Sequence, residues 1–412
     1  MALDWLLSPV AKNEFEDKYW GQAALKIVRE DAKYYQSLNV ERDLDEILFL
    51  SSRTASAIEI LSEESRPLSV RNHLDADAIL SSGKSLRING IQKFSRTLAV
   101  FGSELEQYFN FPININLYIS PPSVVKALKR HYDTHDVIVL QISGQKNWHL
   151  YEPQGLLPLE HLPMLQHETS ADMKSNRLRE KRNDVGDGAL TDDFNLNPGD
   201  LLYLPRGFPH EAHTAGDGVS CHLTVGVSPI TYTDLFAVAL GGAAGSDIRL
   251  RRPLPIGFGS RQDAFEKMRE SFDTILGDLQ HLLDVRQGSS ELSGLFHRNR
   301  KAPLESQLLN PVQPSDLYAL SLDTRVHLRR GAVLGLDYGN KPPQLIFGAK
   351  KFDMDDSFVS ACQYAISQRS FCPRMLPDAL TDLEKVEFVR QLIDKGILYL
   401  SRTKEGSGGG AE

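Results

Sequence analysis

Apolar and polar positions divide this chain into stretches with different periods. Four short runs are rich in β-branched and aliphatic residues and read as strands: NINLYIS at 114–120, VIVLQI at 137–142, LLYLP at 201–205 and SCHLTVGV at 220–227. In the last, His222 and Thr224 alternate with Cys221 and Leu223, so both lie on one face. PGD at 198–200 is a turn leading into the third run, which Pro205, Gly207 and Pro209 bring to an end. Short extended pieces are also expected at 67–73 and 85–90. Helical spacing is found at 44–50, at 95–110 and at 229–245, the last expected to stop at its glycines. RRPLPIGFG at 251–259 is a proline-broken linker. Phe265, Met268, Phe272, Ile275, Leu279 and Leu282 then recur three or four apart in 261–284, an amphipathic helix of about six turns.

Toward the C-terminus, RVHLRRGAVLGLDYG and KPPQLIFGAKKFDM give short strands, and 356–368 gives a helix. A second helix at 381–396 opens on a Thr381/Glu384 capping box and ends at Gly396, and ILYL returns as a strand. Helix, helix, strand is a winged-helix-like order. Its acidic residues Asp382, Glu384, Glu387 and Asp394 make it a structural or protein-binding module. Periodicity fails over 153–197, a long polar insertion whose segment 173–188 holds five basic residues. It is either a solvated loop or a lid contacting substrate, being tethered at both ends to predicted strands. The tail TKEGSGGGAE is a flexible linker by composition.

Composition narrows the function classes. The chain has 412 residues, 41% hydrophobic and 24% charged, enough for two or three domains. No apolar run approaches the roughly 18 residues that span a bilayer. The first residues lack a basic n-region, so a cytoplasmic protein without a signal peptide is expected. Three scattered cysteines, Cys221, Cys362 and Cys372, fit a reducing compartment. The formal net charge of −8 argues against nucleic acid as a partner and suits a basic protein or peptide. The chain holds no P-loop, GxSxG, paired CxxC or internal repeat.

The chemistry gathers around HYDTHDVIVLQISGQKNWHLYE at 131–152 and PGDLLYLPRGFPHEAH at 198–213. His131 and Asp133 are two apart, so an extended backbone points them to one side, at the mouth of the 137–142 strand. His210 follows the 201–205 strand. Two imidazoles and one carboxylate are the set that holds ferrous iron on one face and leaves the other face open.

HYD…VLQISGQKxWxLY followed by NPGDLLYLPRGFPHEA resembles the JmjC-type ribosomal oxygenases of the cupin superfamily, which are 2-oxoglutarate- and Fe(II)-dependent protein hydroxylases. The likeness is strongest over 116–152 and 196–227, and the aromatic opening segment with Trp5, Phe15, Tyr19 and Trp20 is consistent with it. It implies an α+β fold: a double-stranded β-helix barrel over 1–228, a helical dimerisation region over 229–300, a winged-helix-like domain over 301–402 and a tail over 403–412. It implies that His131, Asp133 and His210 bind Fe(II). It places Lys146 and Tyr118 at the distal carboxylate of the cosubstrate 2-oxoglutarate, Asn116 near the other carboxylate, and Thr224 along the same pocket. The implied partner is a protein or peptide substrate, a ribosomal protein first, and the implied assembly is a homodimer. The 153–197 insertion is longer than the family pattern, which bears on the substrate.

Other residues near these motifs admit blander readings. His135, two beyond Asp133, is taken as pocket-lining or exposed, and Arg206 as a turn residue. His149 and His213 lie near the site in sequence, and His222 reads more readily as a satisfied histidine in or beside the core. Two alternatives stay open. One is the same mechanism on a peptide natural-product precursor or on N-methyl-lysine. The other is a non-enzymatic cupin-like binding module.

Overall fold

The computed structural model describes residues 2–54, 57–61, 68–69, 74–122, 130–153, 157–159, 188–300 and 313–400. The basic run at 173–188 (all but Gly188), the tail at 403–412 and most of 67–73 therefore lie outside the described residues. The chain forms two compact units, Met1–Thr233 and Asp234–Glu412. No helix among the described residues is long and apolar enough to cross a membrane.

In the first unit, helices α1 (Ala2–Leu7) and α2 (Lys12–Lys18) precede strand β1 (Leu25–Ile27). Helix α3 (Leu44–Ser52), strands β2 (Ile58–Leu61) and β3 (Leu68–Ser69), helix α4 (Leu74–Ser81) and strand β4 (Ser85–Ile88) follow. Helix α5 (Arg96–Phe109) starts at Ser95, whose side chain accepts from the Leu98 N–H as an N-cap. Then come β5 (Ile113–Ser120), β6 (Asp136–Ser143), β7 (Gln145–Tyr151), β8 (Leu190–Leu196), β9 (Leu201–Leu204), β10 (His210–Ala215) and β11 (Ser220–Val227). They build an eight-stranded antiparallel sheet in the order β1-β9-β6-β11-β5-β4-β2-β3 and a three-stranded sheet in the order β10-β7-β8.

Period-two alternation decides what each face does. Ile115, Leu117 and Ile119 of β5, Ile138 and Leu140 of β6, Leu201 and Tyr203 of β9, and Leu223 and Val225 of β11 join one large core with the N-terminal helices. Trp5, Tyr19 and Trp20 pack against that core, and Phe15 lies within it. The aromatic opening segment is thus the packing layer behind the large sheet. The opposite face supplies Val137, Val139, Leu202 and Leu204 to a second cluster, where they meet Trp148 and Leu150 of β7 and Leu196 of β8. Two sheets facing each other across this smaller cluster make the barrel of a double-stranded β-helix.

One structural expectation for this region changes, and one strand appears that the sequence reading did not assign. The end of the 153–197 insertion is not loop: β8 pairs along β7 from Lys146↔Leu196 to Tyr151↔Leu190. Its residues LTDDFNL are mostly exposed, so no apolar alternation announces the strand. HEAHTA likewise forms β10, paired along β7 from His210↔Leu150 to Ala215↔Gln145.

In the second unit, helices α6 (Tyr232–Ser246), α7 (Gln262–Leu282) and α8 (Val285–Arg298) come first. Helix α6 ends at Ser246, one residue beyond the expected 229–245. Helix α8 packs close on it: a Cβ at Gly288 would lie 3.1 Å from Leu235 Cδ1 and 3.2 Å from Ala239 Cβ. Of α7, only Ala264 is buried, while Phe265, Phe272 and Leu276 remain exposed.

Helix α9 (Pro314–Tyr318), strands β12 (Val326–Leu328), β13 (Leu334–Asp337), β14 (Gln344–Phe347) and β15 (Lys350–Asp353), helix α10 (Asp356–Ser367), strand β16 (Ser370–Phe371), helix α11 (Asp382–Asp394) and strand β17 (Leu398–Leu400) complete the unit. The capping box of α11 is present: Thr381 accepts from the Glu384 N–H and Glu384 accepts from the Thr381 N–H. Gly396 follows in the left-handed conformation at φ +75°. Strands pair in the orders β16-β12-β17 and β13-β14-β15 over one core that includes Val326, Phe371, Phe388 and Leu392.

Candidate metal centre

His131 and His210 are joined by their backbones before their side chains matter. The His131 N–H donates to the His210 carbonyl at 3.1 Å and the His210 N–H donates to the His131 carbonyl at 2.8 Å. This isolated antiparallel bridge sets the two rings 4.5 Å apart, centroid to centroid. The Gly207 N–H donates to the Asp133 carbonyl at 2.9 Å, so the turn after β9 fixes the third member. One ligating atom from each of His131, Asp133 and His210 lies within 4.8 Å of the others, the one such group among the described residues. His210 Nε2 stands 3.8 Å from Asp133 Oδ2. His210 Nδ1 sits 3.0 Å from the Phe208 carbonyl, an acceptor only, so that nitrogen carries the proton. Nε2 then offers its lone pair to the cluster, the tautomer a divalent metal needs.

The barrel interior continues from this cluster through Trp148. Its ring is 5.7 Å from the His210 ring and 6.0 Å, edge-on, from the His222 ring. Interior positions of β5 and β11 then face each other in register: Asn116 with Thr224, Tyr118 with His222, Ser120 with Ser220. Asn116 Oδ1 accepts from the Gly90 N–H at 3.0 Å and from Asn114 Nδ2 at 2.9 Å. Thr224 is buried at 9% exposure. Tyr118 is hydrogen-bonded to the Arg87 guanidinium, which also pairs with Glu59, and burial raises the phenol's pKa.

Lys146 enters this row from the other sheet. Gly144, at φ +62°, makes the turn between β6 and β7, and a Cβ there would lie 2.2 Å from the Val219 carbonyl oxygen. Lys146 is only 4% exposed, and its Nζ donates to Ser120 Oγ at 3.0 Å. No carboxylate among the described residues pairs with it, and burial lowers its pKa to about 8. An ammonium taken out of water without a counter-charge is costly. A small anion entering the barrel would relieve that cost. The donor set of the cluster and this waiting cation therefore fit a divalent metal and an anionic ligand at one site.

The sequence motifs understate part of this row. His222 does not have the satisfied environment expected of it: it lies inside the barrel, stacked on Tyr118, with Nδ1 buried and unbonded among the described residues. Trp148, Ser120 and Arg87 also belong to the interior, although no motif points to a role for them. Trp148 is two beyond Lys146 on a strand, so alternation alone is a usable signal. His149 instead lies on the outer face of the small sheet, 3.2 Å from Glu211 Oε1 and with its ring 5.2 Å from His213. His135 packs over Gly226, where a Cβ would lie 2.7 Å from its ring. Arg206 is half-buried, and its backbone N–H donates to Asp136.

Residues 91–235 match the family model of the JmjC domain. The chain carries a JmjC domain. It is similar to ribosomal oxygenase 1 of Gallus gallus, 31% identical over 296 residues, 68% of this chain and 46% of that protein. The human ribosomal oxygenase 1 is 31% identical over 276 residues, 62% of this chain and 39% of that protein. This chain thus spans less than half the length of either relative. The JmjC domain also sits in a likeness to the bifunctional lysine-specific demethylase and histidyl-hydroxylase NO66 of Aedes aegypti, 25% identical over 96% of this chain and 67% of that protein. Among solved structures, the Escherichia coli ribosomal oxygenase YcfD in complex with cobalt and 2-oxoglutarate superposes with a TM-score of 0.54 at 16% identity, covering 97% of this chain and 99% of YcfD. That match shows a shared fold of mixed helices and strands, and the family match over 91–235 makes it the JmjC/cupin fold.

Proposed function

We propose that this protein is a 2-oxoglutarate- and Fe(II)-dependent dioxygenase that hydroxylates a side-chain carbon of a protein or peptide, a ribosomal protein being the first candidate. The observation that carries this reading is the convergence of His131, Asp133 and His210 at the mouth of a barrel whose interior holds the Lys146 cation, with no carboxylate partner among the described residues. In this reading the three side chains hold Fe(II) from one side. Lys146 and Tyr118 receive the distal carboxylate of 2-oxoglutarate, with Asn116 and Thr224 along the same pocket. Fe(II) held there would supply the oxidising chemistry: with dioxygen, 2-oxoglutarate would go to succinate and carbon dioxide while a substrate C–H becomes C–OH. The chain's own contribution is position and dryness: Trp148, Leu150, Leu202 and Leu204 exclude water behind the polar row.

The likeness to ribosomal oxygenases and to the histidyl-hydroxylase and lysine-specific demethylase NO66 supports a protein substrate. The exposed apolar residues of α7 support the helical region as a homodimer interface. The C-terminal strands and helices support a winged-helix-like module there. Succinate release from 2-oxoglutarate, measured with and without Fe(II), tests the enzyme against a binding module. Intact mass of a candidate substrate then separates the outcomes: a gain of one oxygen means hydroxylation, and loss of a methyl group means demethylation. Absence of iron-dependent succinate with any protein substrate would refute the reading.

A further inference from the structure

His222 is a residue of the barrel interior that neither the His131/Asp133/His210 cluster nor the proposed cosubstrate contacts account for. It is 3% exposed. Its ring lies parallel to Tyr118, 4.8 Å away at an interplanar angle of 5°, and stands edge-on to Trp148. The register puts it directly opposite Tyr118 on one side and Gln141 on the other. Its side chain makes no hydrogen bond to any described residue, and Nδ1 is sealed from solvent. A buried imidazole that leaves its polar atoms unbonded is unusual, because such groups find partners in folded proteins. The neighbouring polar atoms share the pattern: Trp148 Nε1 and Gln141 Oε1 are also buried and unbonded among the described residues. Three buried, unbonded polar atoms thus belong to residues that pair or touch around His222 in the barrel interior.

We propose that His222 is a positioning residue of the cosubstrate pocket, donating a ring N–H to the ligand carboxylate that Lys146 receives and fixing the orientation of Tyr118 by stacking on it. This rests on the 2-oxoglutarate reading above. Two observations make His222 a donor rather than a second cation. Burial and the Lys146 charge both hold its pKa well below the ordinary value, so the ring is neutral and carries one N–H. Tyr118, for its part, is already held by Arg87 from outside the stack. A phenol fixed at its oxygen and on one face has a single orientation left. Lys146, Tyr118 and His222 would then meet the carboxylate from three directions.

The test uses the full chain, anaerobically, with Mn(II) in place of iron, and titrates 2-oxoglutarate and pyruvate. Pyruvate keeps the 2-oxo acid but lacks the distal carboxylate. His222→Phe keeps the aromatic stack and removes the donor; His222→Gln keeps a donor and removes the ring. For His222→Phe, 2-oxoglutarate affinity should fall about ten- to a hundredfold, as for loss of a hydrogen bond to a charged group. Pyruvate and Mn(II) affinities should be unchanged, and His222→Gln should recover part of the loss. Equal weakening of pyruvate and 2-oxoglutarate, or of Mn(II) itself, would overturn the proposal. So would wild-type affinity in His222→Phe. Lys146→Met keeps the two readings apart. If it loses 2-oxoglutarate while His222→Phe does not, the pocket stands and the role of His222 fails. If the wild-type protein binds no 2-oxoglutarate, both fall.

Discussion

Replacing Lys146 with methionine should stabilise the protein and disable it. The ammonium is 4% exposed and, among the described residues, donates only to Ser120 Oγ. Burial lowers its pKa from 10.5 to about 8. A lowered pKa on a base means the unfolded chain holds the proton more tightly than the folded one. The penalty is therefore fully present below pH 8, shrinks as pH rises toward 10.5, and vanishes above that. At about 1.4 kcal/mol per pH unit, the interval corresponds to about 3 kcal/mol. Methionine fills a similar volume, adapts its shape and requires no partner. Lys146→Met should raise the Tm of the ligand-free chain at pH 7 by about 2–4 °C for each kcal/mol recovered. At pH 9.5 the gain should be smaller. The wild-type protein with Mn(II) should gain about 2.7 kcal/mol from 2-oxoglutarate at a hundred times its Kd, and the variant nothing. Scanning calorimetry at both pH values reads all of this. A variant less stable than wild type at pH 7 that still responds to 2-oxoglutarate would refute the reasoning.

Three further outcomes rest on named contacts. Tyr203 donates to Asp136 Oδ1 at 2.7 Å and accepts from the Gly21 N–H at 2.8 Å, so Tyr203→Phe leaves two partners unsatisfied. It should cost about 1–3 kcal/mol by thermal or urea unfolding, and an unchanged midpoint would contradict that. Gly144→Ala must displace the Val219 carbonyl or the turn that carries Lys146. It should lower the Tm and weaken 2-oxoglutarate binding together; a change in neither removes the turn from the argument. Phe272→Glu places a charge on the exposed apolar side of α7. Analytical ultracentrifugation should find the wild type dimeric and the variant shifted to monomer, whereas a monomeric wild type would rule out this helix as the interface.

What was legible in the sequence had a simple physical signature. Strands β5, β6, β9 and β11 are central to the large sheet, so each must place apolar residues in the core, and their composition shows it. Helices α5, α7 and α11 carry regular spacing or caps that local chemistry alone dictates. The grouping of His131, Asp133 and His210 was legible because His131 and Asp133 share one extended segment and His210 directly follows a strand. Strand β8 was hidden because most of its side chains face solvent, and β10 because HEAHTA is polar on both faces. The surroundings of His222 were hidden because its neighbours are distant along the chain. Tyr118 and Trp148 reach it only in the closed barrel.

Anomalous diffraction from crystals grown with Mn(II) and 2-oxoglutarate tests the central claim most directly. The account predicts one strong peak bonded to His131, Asp133 and His210, with the cosubstrate reaching from it toward Lys146. A peak held by other side chains, or a fully loaded crystal with nothing between those three residues, would contradict it.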